Sequence, residues 1–272
     1  MLYLVATPIG NLKDISFRAI ETLNGADVIA CEDTRRSKIL LNHYGIKKPL
    51  VSYHKFNEEK ESEKIMDLLR ENKSVALISD AGLPLISDPG GLLIKKLKEN
   101  GFEYTVIPGA SAGISALLLS GLNTDRFCFL GFLPEKTKDR KEFLKKYEKL
   151  EATLIFYSAP HDLKKDLYSL KEFFADRKAV AGKEITKINE KTEDIDFNLL
   201  DSYDFENVKG EFVILIEGSK GENPLNSLSE EEHINYYISK GLDKKEALKK
   251  AAADRNVSKS SLYKYTVKKD SF

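Results

Sequence analysis

Short apolar runs alternate with longer amphipathic stretches along most of the chain. Residues 2–6 read as a buried strand that stops at Thr7-Pro8-Ile9-Gly10-Asn11. A helix follows with Ile15, Ala19, Ile20 and Leu23 on one face, and Asn24-Gly25 ends it. Residues 27–31 are apolar again, and 58–72 form a charged helix with Ile65, Leu68 and Leu69 inward. Residues 74–79 are apolar on both faces, which suits a parallel strand covered by helices above and below. A helix over 92–100 stops at Gly101, and a strand over 104–107 ends at Pro108-Gly109. This βαβα rhythm predicts an α/β domain with a parallel sheet.

From about residue 111 the pattern restarts. A small-residue apolar helix over 111–120 precedes strands at 127–132 and 152–157, with a helix over 139–150 between them. A helix over 162–174, a short strand at 179–182 and a strand at 212–217 complete a second α/β unit. Gly218 to Pro224 reads as a linker. Beyond it Ser229 and Glu232 form a capping-box pattern, and helices over 242–255 and 258–265 resemble a helix-turn-helix. The predicted organisation is 1–115, 116–221 and a helical extension over 222–272.

A length of 272 residues and 30.7 kDa is about twice the common domain length and matches two domains, or one large domain with an appendage. Lys+Arg and Asp+Glu both number 43, so the net charge is zero and gives no sign of a nucleic-acid binder. The average conceals opposed local charges. Residues 240–269 hold ten basic side chains against three acids, and 184–211 hold nine acids against three lysines. On residues alone the extension reads equally as a solvated charged bundle. Two cysteines, Cys31 and Cys128, cannot staple a chain of this size, which fits a reducing cytoplasm. No apolar run reaches 18 residues, and the N-terminus lacks the charged opening of a signal peptide, so no membrane contact is expected.

The Rossmann and Walker A glycine motifs are absent, as is the G-x-S-x-G elbow, and the four histidines lack zinc-ligand spacing; no metal is expected. Three loops at strand ends stand out instead: residues 7–11, 79–90 and 108–111. Carboxyl ends of strands are where open α/β sheets hold ligands. Such loops are also ordinary βα turns, although twelve residues with two aspartates is long for a connection. Cys31-Glu32-Asp33-Thr34-Arg35-Arg36 places two acids and two arginines at another strand end. Asp33 or Thr34 could cap the next helix with Glu32 paired to an arginine. Equally, the carboxylates could accept a proton and the arginines hold phosphates.

These stretches, together with Gly131-Phe132-Leu133-Pro134, Phe156-Tyr157, Pro160-His161 and Glu184-Ile185-Thr186-Lys187, are collinear over residues 1–217. Their order and spacing resemble the tetrapyrrole (corrin/porphyrin) methylase superfamily, and within it the branch that methylates small-subunit ribosomal RNA. The resemblance implies two α/β domains with S-adenosylmethionine in the cleft between them, a homodimer, and a helix-turn-helix-like C-terminal extension. It implies 2′-O-methylation of a cytidine ribose in the decoding region of 16S rRNA, leaving S-adenosylhomocysteine. A methylase of a small tetrapyrrole, of precorrin or uroporphyrinogen type, is the competing reading within the same superfamily.

Carried over by position, the resemblance assigns Pro8 and Gly10 to one wall of the cofactor cleft. It assigns Asp80, Ala81, Gly82 and Ser87 to the loop around the methionine and sulfonium end, and Pro108, Ala110 and Ser111 to the ribose or methionine. Tyr157, Ser158, Glu184 and the strand holding Ile214 would approach the adenine. The chain departs from the family at Leu83 and Leu85, where Thr and Gly are usual, and at Ser158-Ala159-Pro160-His161-Asp162, where Glu-Ser-Pro-His-Arg is frequent. Glu32 and Asp33 are the candidate proton acceptors, with Asp80 or Asp88 as substitutes. Arg35, Arg36, Lys38 and the basic extension are the candidate RNA contacts.

Overall fold

The computed structural model describes residues 1–54, 57–221, 224–255 and 257–263. These form two compact units, 1–219 and 220 onward.

The larger unit holds two five-stranded sheets. The first is wholly parallel, in the order β3-β2-β4-β1-β5, from β1 (Leu2–Val5), β2 (Val28–Cys31), β3 (Leu50–Ser52), β4 (Val75–Ile78) and β5 (Tyr104–Ile107). Side chains of successive residues leave a strand on opposite faces. Leu2 and Leu4 therefore pack with α3 (Glu58–Arg70) and α4 (Gly91–Glu99), while Val5 packs with α1 (Phe17–Gly25) and α2 (Thr34–His43). The register pairs Val5 with both Ile78 and Ile107, and Cys31 with Ile78. Four strands thus end in line, and their four following loops share one edge of the sheet.

The second sheet is mixed, in the order β6-β7-β10-β8-β9. Its strands are β6 (Phe127–Phe132), β7 (Thr153–Ser158), β8 (Ala179–Lys183), β9 (Lys191–Ile195) and β10 (Phe212–Ile216). Only β6 and β7 run parallel. One face is covered by α5 (Ala112–Ser120), the other by α6 (Thr137–Lys145) and α7 (Leu163–Phe174). Ile9, from the first half, joins the α5-side core with Ala116, Ile155 and Val213. The expected boundary at 115/116 falls inside α5. Because α5 packs on β7, β8 and β10, the chain changes halves before it, at residues 108–111.

The smaller unit contains α8 (Glu230–Ser239), α9 (Lys244–Asp254) and α10 (Lys259–Leu262). Ser229 and Glu232 form the full capping box. Ile234, Leu248, Ala251 and Leu262 make its own core. Buried His233 accepts from Arg255 Nε at 3.0 Å and faces the Asp254 carboxylate at 3.1 Å, so both ring nitrogens are satisfied. The end of the third helix expected over 258–265 lies outside the described residues, as do Lys264, Lys268 and Lys269 of the basic stretch.

Candidate active site

The aligned strand ends of the first half and the α5-side face of the second enclose a cleft of about 440 Å³. Its first-half wall is rigidly built. Thr7 N donates to Gly82 O at 2.8 Å and Gly82 N returns to Thr7 O at 3.1 Å, stitching the 7–11 loop to the 79–90 loop. The Thr7 hydroxyl adds a bond to Ser79 O at 3.2 Å. Gly82 takes φ +79°, and a Cβ there would lie 3.2 Å from Ile9 Cγ2, so neither the backbone nor the space favours another residue. Leu85 and Ser87 also occupy the left-handed region, at φ +73° and +66°. Such conformations cost about 1–3 kcal/mol each and are held by their surroundings. One such restraint is the Glu58 carboxylate, which accepts from Gly90 N at 2.5 Å and anchors the loop exit to α3.

Three carboxylates from this half line the cleft: Glu32, Asp80 and Asp88. Asp80 is ion-paired, with Arg36 at 3.1 Å and Asp33 N donating at 3.2 Å. Burial pushes the Asp88 carboxyl up to about 6, with the Glu32 charge adding to the rise. Burial likewise raises Glu32, reinforced by the charge on Asp80. Asp33 does something else. It caps α2, accepting from Arg35 N at 2.8 Å, and pairs with the Arg35 guanidinium. These bonds hold its carboxyl below the usual range. Its oxygens serve the helix end and not the cleft, which removes it as a proton acceptor. The ion pairs also differ from the expected Glu32 pairing: Arg35 joins Asp33, and Arg36 joins Asp80.

Of the other expected cofactor residues, Ala81, Gly82, Ser87, Ser111, Tyr157 and Ser158 line the cleft with Asp80. Tyr157 accepts from Gly113 N at 3.3 Å through its hydroxyl oxygen. The Ser158 hydroxyl points away, donating to buried Asp166 at 2.6 Å. Asp166 in turn faces Arg140 at 2.5 Å, and Arg140 Nε donates to Pro134 O at 2.9 Å. Pro8, Gly10, Pro108, Ala110, Glu184 and Ile214 are not among the lining residues. Gly10 and Glu184 instead form the seam between halves. A Cβ on Gly10 would collide with the Lys187 side chain, Asn11 N donates to Thr186 Oγ1 at 3.2 Å, and Lys187 pairs with Glu184 at 2.8 Å and Glu211 at 3.0 Å. Ile214 is buried in the opposite core, and Val213 takes the cleft face because alternation allows only one of them to do so. Arg36 borders the cleft; Arg35 and Lys38 are exposed on α2. Sequence reasoning missed Phe132, Ile185 and Glu211 as lining residues. Phe132 and Ile185 lay within motifs already noted, but no spacing rule indicated which way they face.

The cleft suits the cofactor the resemblance implies. Its volume is that of a small-molecule site, apolar side chains sit beside a few polar ones, and the carboxylates complement a cationic sulfonium or ammonium group.

Two sheets joined through strand-end loops around one cleft define the tetrapyrrole methylase class. The model of the Tetrapyrrole (Corrin/Porphyrin) Methylases matches residues 1–197. Solved structures share the fold at low identity. Diphthine synthase aligns with a TM-score of 0.64 at 17% identity, covering 80% of this chain and 90% of that one. Uroporphyrin-III-C-methyltransferase from Thermus thermophilus aligns at 0.57 and 19%, covering 79% and 93%. Curated sequence relatives are far nearer. The protein named ribosomal RNA small subunit methyltransferase I in Bacillus subtilis (strain 168) is 44% identical over 272 residues, 97% of this chain and 92% of that protein. The one so named in Escherichia coli O157:H7 is 40% identical over 276 residues, covering 98% and 94%. The chain belongs to the ribosomal RNA small subunit methyltransferase I family, and it is a methyltransferase.

Proposed function

We propose that this protein 2′-O-methylates a cytidine ribose in the decoding region of 16S rRNA, with S-adenosylmethionine held in the cleft. The observation that supports this most is the carboxylate-lined cleft at the aligned strand ends, in a chain 44% identical to a small-subunit rRNA methyltransferase. When bound, S-adenosylmethionine supplies a methyl group already activated by its sulfonium, open to in-line displacement by an oxygen. The protein's part is positioning and proton handling.

Glu32 accepts the proton of the ribose 2′-hydroxyl. Its carboxylate is partly desolvated, which raises its proton affinity toward the operating pH; such a base contributes about 10²–10⁴-fold. Asp80, fixed by Arg36 and Asp33 N, lines the wall beside it. Arg35, Arg36 and Lys38 on α2 meet phosphates, and the basic extension adds sequence-blind affinity. The enzyme acts as a cytoplasmic homodimer in this reading. Exposed Ile114, Leu118 and Leu119 on α5 supply an apolar face for a second copy. No helix among the described residues is long and apolar enough to cross a membrane.

The test is methyl transfer from labelled S-adenosylmethionine to small ribosomal subunits, with the modified nucleotide mapped. A 2′-O-methylcytidine in the decoding region is expected. Transfer to a tetrapyrrole with none to the subunit would overturn the proposal in favour of the competing substrate class.

A further inference from the structure

The Gly131-Phe132-Leu133-Pro134 motif has no part in the chemistry above, yet its phenylalanine is built into the cleft in an unusual way. Along β6, strict alternation from Phe129, which packs in the α5-side core, would send Phe132 to the opposite face of the sheet. It does not go there. The register shifts between Phe129, paired with Ile155, and Gly131, paired with Phe156. Gly131 takes φ +64°, the left-handed conformation that bulges use. The inserted residue resets the alternation, so Phe132 pairs with Tyr157 and joins Phe129 on the cleft side. Both rings meet Tyr157 edge to face, at 4.9 Å from Phe129 and 5.6 Å from Phe132. Phe129 is partly buried in the core, whereas Phe132 is 57% exposed.

A large apolar ring more than half open to solvent has gained little from burial, so packing does not explain the bulge that aims it. A bound cofactor is largely enclosed by its pocket. Phe132 is the last residue of β6, the edge strand of the second sheet, and a wall ring this open at a sheet edge stands at the mouth, where a second substrate arrives. A ribose within a stacked helix is shielded, and enzymes acting on a nucleotide swing it out and replace its lost stacking with aromatic side chains.

We infer that Phe132 is a stacking platform for the base of the target nucleotide, presented to it by the Gly131 bulge. This rests on the reading of the cleft as an RNA methylation site. The ring holds the swung-out pyrimidine at the mouth while the ribose enters towards Glu32.

The chain contains no tryptophan, which gives a direct probe. In the full-length Phe132→Trp protein the single indole should be quenched on adding small ribosomal subunits and not on adding S-adenosylmethionine. In parallel, Phe132→Ala should raise KM for subunits about 10- to 100-fold, with the calorimetric affinity for S-adenosylmethionine within twofold of wild type. Phe132→Tyr, which keeps a flat ring, should recover most of that loss, and Phe132→Leu, which keeps only bulk, should not. Normal kinetics for Phe132→Ala on subunits that the wild type methylates would overturn this inference alone. So would quenching by S-adenosylmethionine, which would place the adenine on the ring, or a changed oligomeric state, which would place a second copy there. A wild-type enzyme that leaves subunits unmodified would remove the underlying reading, and this inference with it.

Discussion

Asp88→Asn should stabilise the protein, and only above a defined pH. The Asp88 carboxyl is partly buried in the cleft wall, facing the charges of Glu32 and Asp80, and the nearby Ser79 hydroxyl offsets only part of their effect. Those effects raise it from 3.8 to about 6. The folded protein therefore binds this proton more tightly than the unfolded chain, and stability falls as pH rises between those two values. The penalty is absent below about pH 4 and complete above about pH 6. At about 1.36 kcal/mol per tenfold change in proton affinity, its ceiling is ~3 kcal/mol. Asparagine keeps the shape but carries no charge. Urea unfolding of both proteins at pH 4, 6 and 8 should show no difference at the lowest pH and a gain of about 1–3 kcal/mol for the variant at the highest, a few degrees or more in Tm for a unit of this size. A gain of equal size at all three pH values, or a loss at pH 8, would show that the carboxylate is not destabilised by its surroundings and would refute the reasoning.

Glu32→Gln should lower turnover at least tenfold, well beyond any loss of cofactor affinity, whereas Asp33→Asn should stay within about threefold of wild type, since asparagine caps a helix as well as aspartate; single-turnover methylation compares the two. Binding of S-adenosylmethionine should weaken as pH falls through about 6, because a cation beside Asp88 favours its ionised form, and calorimetry in buffers of different ionisation enthalpy should detect the released proton. Asp166→Ala should cost about 3–5 kcal/mol in denaturant unfolding, because it leaves the 2%-exposed Arg140 as an uncompensated buried charge. Deleting residues 227–272, which belong to the separate smaller unit, should weaken subunit binding and flatten its salt dependence while leaving cofactor affinity intact.

Much of the architecture was legible because hydrophobic periodicity is a local signal. The buried runs at β1, β4 and β10, and the amphipathic faces of α1, α3 and α7, each announce themselves within a window of a dozen residues. The elements that escaped are those whose partners are distant. β3 is three half-buried residues given meaning only by pairing with β2, and β9 is a charged edge strand defined by its register with β8. The boundary between halves was misplaced for a related reason. The small-residue apolar pattern of α5 shows a helix but not which sheet it covers.

The site divides along the same line. Turn chemistry marked the loops of the first half, since glycine, proline and aspartate carry backbone meaning on their own. It could not separate side chains that face the cleft from those that serve the scaffold. Glu32 and Asp33 are adjacent, alike in charge and set at the same strand end; one lines the cleft and the other closes a helix, held by the backbone and guanidinium of Arg35. Ile214 and Val213 divide by alternation, and Phe132 by a bulge that interrupts it. In the two strand cases the deciding fact is the direction of one Cα–Cβ bond, set by pairing partners far along the chain. Motif matching transfers positions but not directions. A residue-level reading of a strand-end cleft therefore gains most from register, and the residues to test first are those where register and motif disagree.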